Sequence, residues 1–312
     1  MTLNHLLLPT DFSACADEAL AYAAELADRF GATLHLLHVV DEMDPDWFGT
    51  ADAEERAGAL RDEMEGTAKA RLRDLTARDT GASVETTVAL RSSVDVDQAI
   101  VDYAEEEGIN LLVMGTHGRR GLDRLVLGSV TETVLRQAPC PVLTVRQGAV
   151  PVASGTPAFQ NVLAPIDFSE ASHDAVTMAD GVAEAYRARL HLLFVAAERT
   201  VPTFSDTGLP GLSVVKMDPE IVENAEAALR QLGERLGGRA PESAYHVREG
   251  RVAATIVEVA QAEAMDLVVM ATQGRQGVDR FWVGSTTERV VRRAPCPVLT
   301  MRAGADGRAA DA

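Results

Sequence analysis

"NLLVMGTHGRRGLDRLVLGSVTETVLRQAPCPVLTVR", residues 110–146, decides how this chain folds. It opens on the apolar run "NLLVM", short enough for a strand buried on both faces. It then passes through Gly115 and Gly118, nine further residues and Gly128-Ser129. "SVTETVLRQ" reads as a helix opened by Ser129, and "PVLTVR" as another buried strand. Strand, glycine loop, helix and strand in that order imply a right-handed crossover between parallel strands.

The same stretch recurs at 266–302, identical at 23 of 37 positions and shifted by 156 residues. "MGTHGRRGLDRLVLGS" (114–129) becomes "MATQGRQGVDRFWVGS" (270–285). At the same offset, Pro9, Asp11, Phe12 and Ser13 match Pro165, Asp167, Phe168 and Ser169, and "LHLL" at 34 matches "LHLL" at 190. So long a period signals a duplicated domain rather than a solenoid. The expected division is one domain at 1–146, a linker at 147–160, a second domain at 161–302 and a tail at 303–312. The small, nearly uncharged "RQGAVPVASGTPAFQ" (146–160) supplies the linker.

Within a copy the order is legible. "HLLLP" is a first strand, followed by a helix whose Ala16, Ala19, Leu20, Ala23, Leu26, Ala27 and Phe30 recur at helical spacing. Ser13 suits its N-cap and Gly31 its stop. "TLHLLHVVD" is the second strand. A variable segment (41–58), a charged helix over 59–78, the strand "SVETTVAL" and the helix "VDQAIVDYAEEEG" lead back to "NLLVMG". Each copy is therefore expected to be an α/β domain on an open five-stranded parallel sheet.

Composition narrows the partners. The chain has 312 residues and a formal net charge of −18, which argues against nucleic acid, because phosphate backbones need a basic face. It does not exclude a single nucleotide, whose phosphates can sit on backbone N–H groups. No apolar run is long enough to span a bilayer, and the N-terminus lacks a charged, cleavable leader, so a cytoplasmic location is expected. Lys69 and Lys216 are the only lysines. Such an acidic, Lys-poor surface fits either a high-salt cytoplasm or a GC-biased genome. Cys15, Cys140 and Cys296 read as small buried hydrophobes.

Two loops carry the chemistry. In an open parallel sheet, ligands sit beyond the carboxyl ends of the strands where the winding reverses. "PTDFS" follows strand one and the glycine loop follows strand four; if these strands are neighbours there, both loops face one crevice. Gly115 and Gly118 can take positive φ and admit a close ligand. Gly128-Ser129 starts a helix whose free N–H groups and positive end suit a phosphate, with Ser129 and Thr131 as hydroxyl donors. The loop has neither the Gly-Lys-Ser/Thr of a Walker motif nor the Gly-x-Gly of a dinucleotide fingerprint.

This combination resembles the universal stress protein family. The resemblance rests on "LLLPTDFS", "LHLLHVVDE" and 110–146 with their copies, and covers the chain except the linker, segments 41–58 and 197–218, and the tail. It implies two Rossmann-like, adenine nucleotide α-hydrolase-like domains forming an intramolecular pseudo-dimer, "PVLTVR" pairing with "PVLTMR", and a homodimer of chains as a further level. It implies ATP, AMP or ADP as ligand, with or without Mg2+. The adenine end falls on Pro9, Thr10, Asp11 and Val39. Ribose and phosphates fall on Met114, Gly115, His117, Gly118, Arg119, Gly128, Ser129, Val130 and Thr131. In the second copy the matching set is Pro165, Ile166, Asp167, Val195, Gln273, Gly274, Gly284, Ser285, Thr286 and Thr287. Asp11 is expected to accept from the adenine amino group or a ribose hydroxyl, or else to cap the following helix.

The second copy departs at Ala271, in place of Gly115. If Gly115 has positive φ, a side chain there costs on the order of 1 kcal/mol, and its methyl presses on the ribose. ATP is therefore expected in the first copy ahead of the second. His35 and His38, three apart on a strand, point to opposite faces and are expected as core or edge histidines rather than metal ligands. His117 reads as a ligand contact, Arg119, Arg120, Arg124, Arg275 and Arg280 as local positive charge, and Trp47, Phe48 and Phe204 as packing under a loop. A nucleotide-dependent stress sensor or regulator is the leading function. A slow ATPase would need more than Asp11 and His117, and no catalytic residue or metal site is assigned; the third reading is a chaperone-like module whose loops bind nothing.

Overall fold

The first strand of each half explains the rest of its architecture. β1 (His5–Pro9) carries Leu6, Leu7 and Leu8, all fully buried, so the strand must be covered on both faces. α1 (Ala14–Phe30) supplies one cover. Ser13 caps it by accepting from Ala16 N, and Gly31 ends it at φ +65°, a conformation that glycine takes without strain. β2 (Thr33–Asp41), α2 (Ala53–Asp79), β3 (Thr86–Ser93), α3 (Val96–Glu106), β4 (Leu111–Gly115), α4 (Ser129–Gln137) and β5 (Val142–Val145) follow.

The computed structural model describes residues 2–42, 53–79, 84–117, 127–148, 159–197, 199–204, 210–215, 219–236, 243–272 and 284–302. The chain forms two units, Met1–Pro157 with Leu299–Ala312, and Ala158–Val298. The linker proposed at 147–160 lies largely outside the described residues.

In the first unit the strand order is β5-β4-β1-β2-β3, and every pair is parallel. β1 lies between β2 and β4, with Leu6 opposite Leu34 on one side and Leu111 on the other. The winding runs outward from β1 to β3 and then reverses to β4 and β5. α2 begins earlier than its charge pattern suggested, and its contribution to the core is Ala68 and Leu72. β3 begins at Thr86, three residues after the start of "SVETTVAL".

The second unit repeats the plan. β6 (Asn161–Ile166), α5 (Glu170–Tyr186), β7 (Arg189–Ala197), α6 (Pro219–Arg235), β10 (Ser243–Gly250), α7 (Val252–Ala262), β11 (Leu267–Ala271) and α8 (Ser285–Arg293) are its counterparts, and β12 (Val298–Met301), which falls in the first unit from Leu299 on, completes the repeat. The order β10-β7-β6-β11 is parallel, and Val268 N donates to Pro297 O where the chain enters β12. An addition appears in the variable segment: β8 (Arg199–Phe204) and β9 (Pro210–Val215) form a separate antiparallel pair. Thr, Val and Phe favour this, and Pro202 and Pro210 are tolerable because a two-stranded ribbon consists of edges.

The three cysteines are buried, as expected, and burial pushes the thiols of Cys140 and Cys296 up to about 12. His35 and His191 are core histidines. His35 bonds Tyr103 Oη at 2.9 Å and His5 at 3.1 Å. His191 Nδ1 lies 3.0 Å from His246 Nε2, the rings stack, and its Nε2 donates to Asn161 Oδ1 at 3.3 Å. Burial, and then the His246 charge, lower the His191 pKa to about 4. A proton on His191 would also set two N–H groups against each other.

Because the native state holds His191 neutral while the unfolded chain takes up a proton near pH 6.5, its contribution is complete above that pH and is lost as pH falls toward 4. Urea unfolding is therefore expected to show stability declining over that interval, with a His191 share on the order of 3 kcal/mol. His191→Leu should flatten the slope.

Candidate functional site

The reversal places both chemistry-bearing loops at one edge of the sheet. β1 ends at Pro9 and β4 at Gly115, and the two strands are paired neighbours. In the second unit β6 and β11 stand in the same relation. The conditional expectation from the sequence, that the two loops share a crevice, thus has its geometric basis in each half.

The loop after β1 is closed by its own side chains. Thr10 N donates to Leu37 O at 2.8 Å, Phe12 N to Thr10 Oγ1 at 3.0 Å, and Ser13 N to Asp11 Oδ1 at 3.0 Å. Asp11 therefore supports the turn, while the cap of α1 is Ser13. Phe12 stands at φ +61°, and Phe168 repeats this at +62°. A bulky residue in the left-handed region is rare and costly, and such outliers cluster at functional sites. The composition of the motif gave no sign of this turn.

The loop after β4 begins and ends on one residue. Thr116 N donates to Val145 O at 2.9 Å, and Gly128 N returns to Thr116 O at 2.9 Å. A Cβ on Gly128 would approach that same oxygen at 3.3 Å, so glycine permits the loop to close. Gly128 caps α4 and, having no side chain, gives the first-turn N–H groups no side-chain cap of its own. In the second unit Gly284 N donates to Thr272 O at 2.7 Å, and Gly284 likewise caps α8 without a side chain.

Several expectations change here. Thr131 was expected as a ligand donor, but it is buried and its hydroxyl donates to Gly115 O at 3.0 Å. Thr287 does the same to Ala271 O at 2.9 Å. Both hold the start of the loop. Met114 and Val195 are buried in their strands, leaving their backbones for contact. Ser129 and Ser285 are exposed at the helix starts, with Val130 and Thr286 beside them half-buried. His117 Nδ1 bonds Thr116 Oγ1 at 2.8 Å. Pro9, Pro165, Val39 and Asp167 are half-buried, and Thr10 and Ile166 buried, at their strand ends. Gly118, Arg119, Arg120, Arg124, Gln273, Gly274, Arg275, Arg280, Trp47 and Phe48 lie outside the described residues, as does the side chain of Phe204.

The largest correction concerns Gly115. It does not take a positive φ. Its need is for space: a Cβ there would meet Cys15 Sγ at 2.8 Å and the Cys15 backbone at 3.1 Å. Cys15, whose thiol donates to Val145 O at 3.3 Å, has Ala171 as its counterpart. The copy thus exchanges Gly115 and Cys15 for Ala271 and Ala171, removing a sulfur from one partner and adding a methyl carbon to the other. The left-handed penalty anticipated for Ala271 does not arise, which removes one of the two reasons for ranking the second copy lower.

The chain matches the model of the "Universal stress protein family" twice, over residues 2–146 and 158–302. A universal stress protein of Mycolicibacterium smegmatis is 27% identical over 305 residues, spanning 95% of this chain and 96% of its own. One from Methanocaldococcus jannaschii is 32% identical over 155 residues, covering 46% of this chain and 94% of its own. Among solved structures, a universal stress protein from Archaeoglobus fulgidus superposes over 97% of this chain and 100% of its own with a TM-score of 0.69, at 21% identity. That likeness concerns the fold.

The Gly115–Cys15 packing is open to a double-mutant cycle. Gly115→Ala alone is expected to destabilise the chain by about 1–3 kcal/mol through overpacking. Cys15→Ala should restore most of this in the double variant, a coupling of roughly 1–2 kcal/mol in urea unfolding.

Proposed function

The chain belongs to the universal stress protein family, and from that premise we propose that each unit binds an adenine nucleotide between the loops after its first and fourth strands. The observation that carries this reading is the glycine-capped helix at the reversal point. Gly128 and Gly284 close their loops on a backbone oxygen and begin a helix without a side-chain cap. Free N–H groups and the positive end of a helix attract phosphate without a basic side chain. That matters in a chain with a net charge of −18.

In the first unit the N–H groups of Ser129 and Val130 and the Ser129 hydroxyl take the phosphates, with His117, Gly118 and Arg119 along the ribose. Asp11, held by Ser13 N through one oxygen, accepts from the base or ribose, beside Pro9, Thr10 and Val39. Gly284, Ser285, Thr286, Gln273 and Gly274 take the phosphate side in the second unit, and Asp167, also held by its Ser169 N–H, the base side. Among the described residues no three His, Cys, Asp or Glu side chains are grouped to hold a metal ion, so Mg2+ is assigned to the phosphates themselves.

The chain then serves as a nucleotide-dependent sensor or regulator in the stress response, working in the cytoplasm. Among the described residues no helix is long and apolar enough to cross a membrane. The paired exchange at Gly115 and Cys15 favours two sites over one.

Calorimetric titration with ATP tests this. Two sites per chain are expected. Gly128→Leu should remove the first and Gly284→Leu the second, each weakening its site at least tenfold by filling the space at the helix start. Absence of ATP binding by the unaltered chain would refute the reading.

A further inference from the structure

The loop after the first strand is held differently in the two units. In the first, His38 Nδ1 donates to the Thr10 carbonyl at 2.6 Å. Its ring also packs on Phe12, with centroids 4.6 Å apart, while the Arg71 guanidinium lies 4.7 Å over the same phenyl ring. One imidazole therefore grips the residue before Asp11 and the residue after it. It does so on a turn that needs holding, since Phe12 occupies the left-handed region.

In the second unit the turn has the same backbone but another support. Ile166 replaces Thr10 and Phe194 replaces His38, and the two are register partners across β6 and β7. Phe168, at φ +62°, packs 5.4 Å from Phe194 and 6.5 Å from His173. The hydroxyl that serves Phe12 N and the imidazole that serves the Thr10 carbonyl have been exchanged together for two apolar side chains. Ring packing at this turn is common to both units, as is the bond from the serine N–H to the aspartate, while the bonds of the Thr10 hydroxyl and the His38 ring are peculiar to the first.

We propose that His38 is a positioning residue of the first unit's nucleotide site: its bond to the Thr10 carbonyl fixes the turn that presents Asp11. This rests on the nucleotide reading above. The second unit has Phe194 packed against Phe168 in place of the His38 bond, and Ser169 donates to Asp167 through both its N–H and its hydroxyl, so the two turns are held by different partners.

Two substitutions separate the bond from the packing. His38→Phe installs the second unit's residue, keeping a ring and removing the donor. His38→Asn removes the ring and keeps an N–H near the Nδ1 position. Hydrogen exchange read by mass spectrometry on the full chain, with and without ATP, reports residues 9–16 and 165–172 separately. Without ATP, His38→Phe is expected to speed exchange in 9–16 about tenfold, the scale of one lost hydrogen bond. The ATP concentration needed to protect that peptide should rise about tenfold, 165–172 should be unchanged, and His38→Asn should return both values to within about threefold of the unaltered chain.

Unaltered exchange and binding in His38→Phe would overturn the proposal. So would a loosened loop with unchanged ATP affinity, since the bond would then serve only the turn. Should His38→Phe fail to fold, Thr10→Ile with His38→Phe, which reproduces the pair already present in the second unit, carries the same comparison. If exchange in 9–16 depends on His38 but ATP protects neither peptide in the unaltered chain, the nucleotide reading fails and the proposal falls with it.

Discussion

β1 and β4 come from opposite ends of the first half, yet they pair in parallel through Leu6 with Leu111 and Leu7 with Leu112. Both strands are apolar throughout and need cover on both faces, which parallel pairing under helices provides. The winding reverses between them, so the chain leaving β1 runs toward β2 on one side and the chain leaving β4 toward β5 on the other. The Pro-Thr-Asp turn and the start of the glycine loop, far apart in sequence, therefore leave neighbouring strands at one edge of the sheet. The proposed chemistry follows from this pairing, and the β6–β11 pair repeats it.

Duplication shows which parts of the site are coupled. At two places where the halves differ, residues have changed in pairs that touch. Gly115 with Cys15 becomes Ala271 with Ala171, and the space between β4 and α1 is kept. Thr10 with His38 becomes Ile166 with Phe194, and the turn is kept while the bonds of the Thr10 hydroxyl and the His38 ring give way to apolar side chains. Gly128 and Gly284 do not change, because each lies against a backbone carbonyl that cannot be exchanged for a smaller one. Thr131 and Thr287 are likewise retained, each hydroxyl tying the start of its loop to the helix that follows.

Much of this was legible in the sequence. Helical spacing of alanines and leucines placed α1, Ser13 and Gly31 marked its ends, and short apolar runs located β1, β2 and β4. The fixed offset revealed the duplication. The parts that were not legible depend on neighbours distant in sequence. Nothing near Gly115 points to Cys15, so its glycine was assigned to backbone conformation rather than to space. His38 read as a core or edge residue because its partner is a main-chain oxygen, which no side-chain pattern reveals. Thr131 looked like a ligand donor because its position in the loop is polar, whereas the fold turns its hydroxyl inward. The β8–β9 ribbon was hidden in a segment set aside for its variability.

An acidic chain that holds an anion must do so with fixed local dipoles, because its overall field is repulsive. On the proposed reading, the glycine-started helices meet that need in both units. Native mass spectrometry of the full chain with ATP tests it most directly, because each bound nucleotide adds its own mass. Up to two additions per chain are predicted, with the second lost when Gly284 is replaced by leucine. A chain that retains no nucleotide at any ATP concentration would contradict the account.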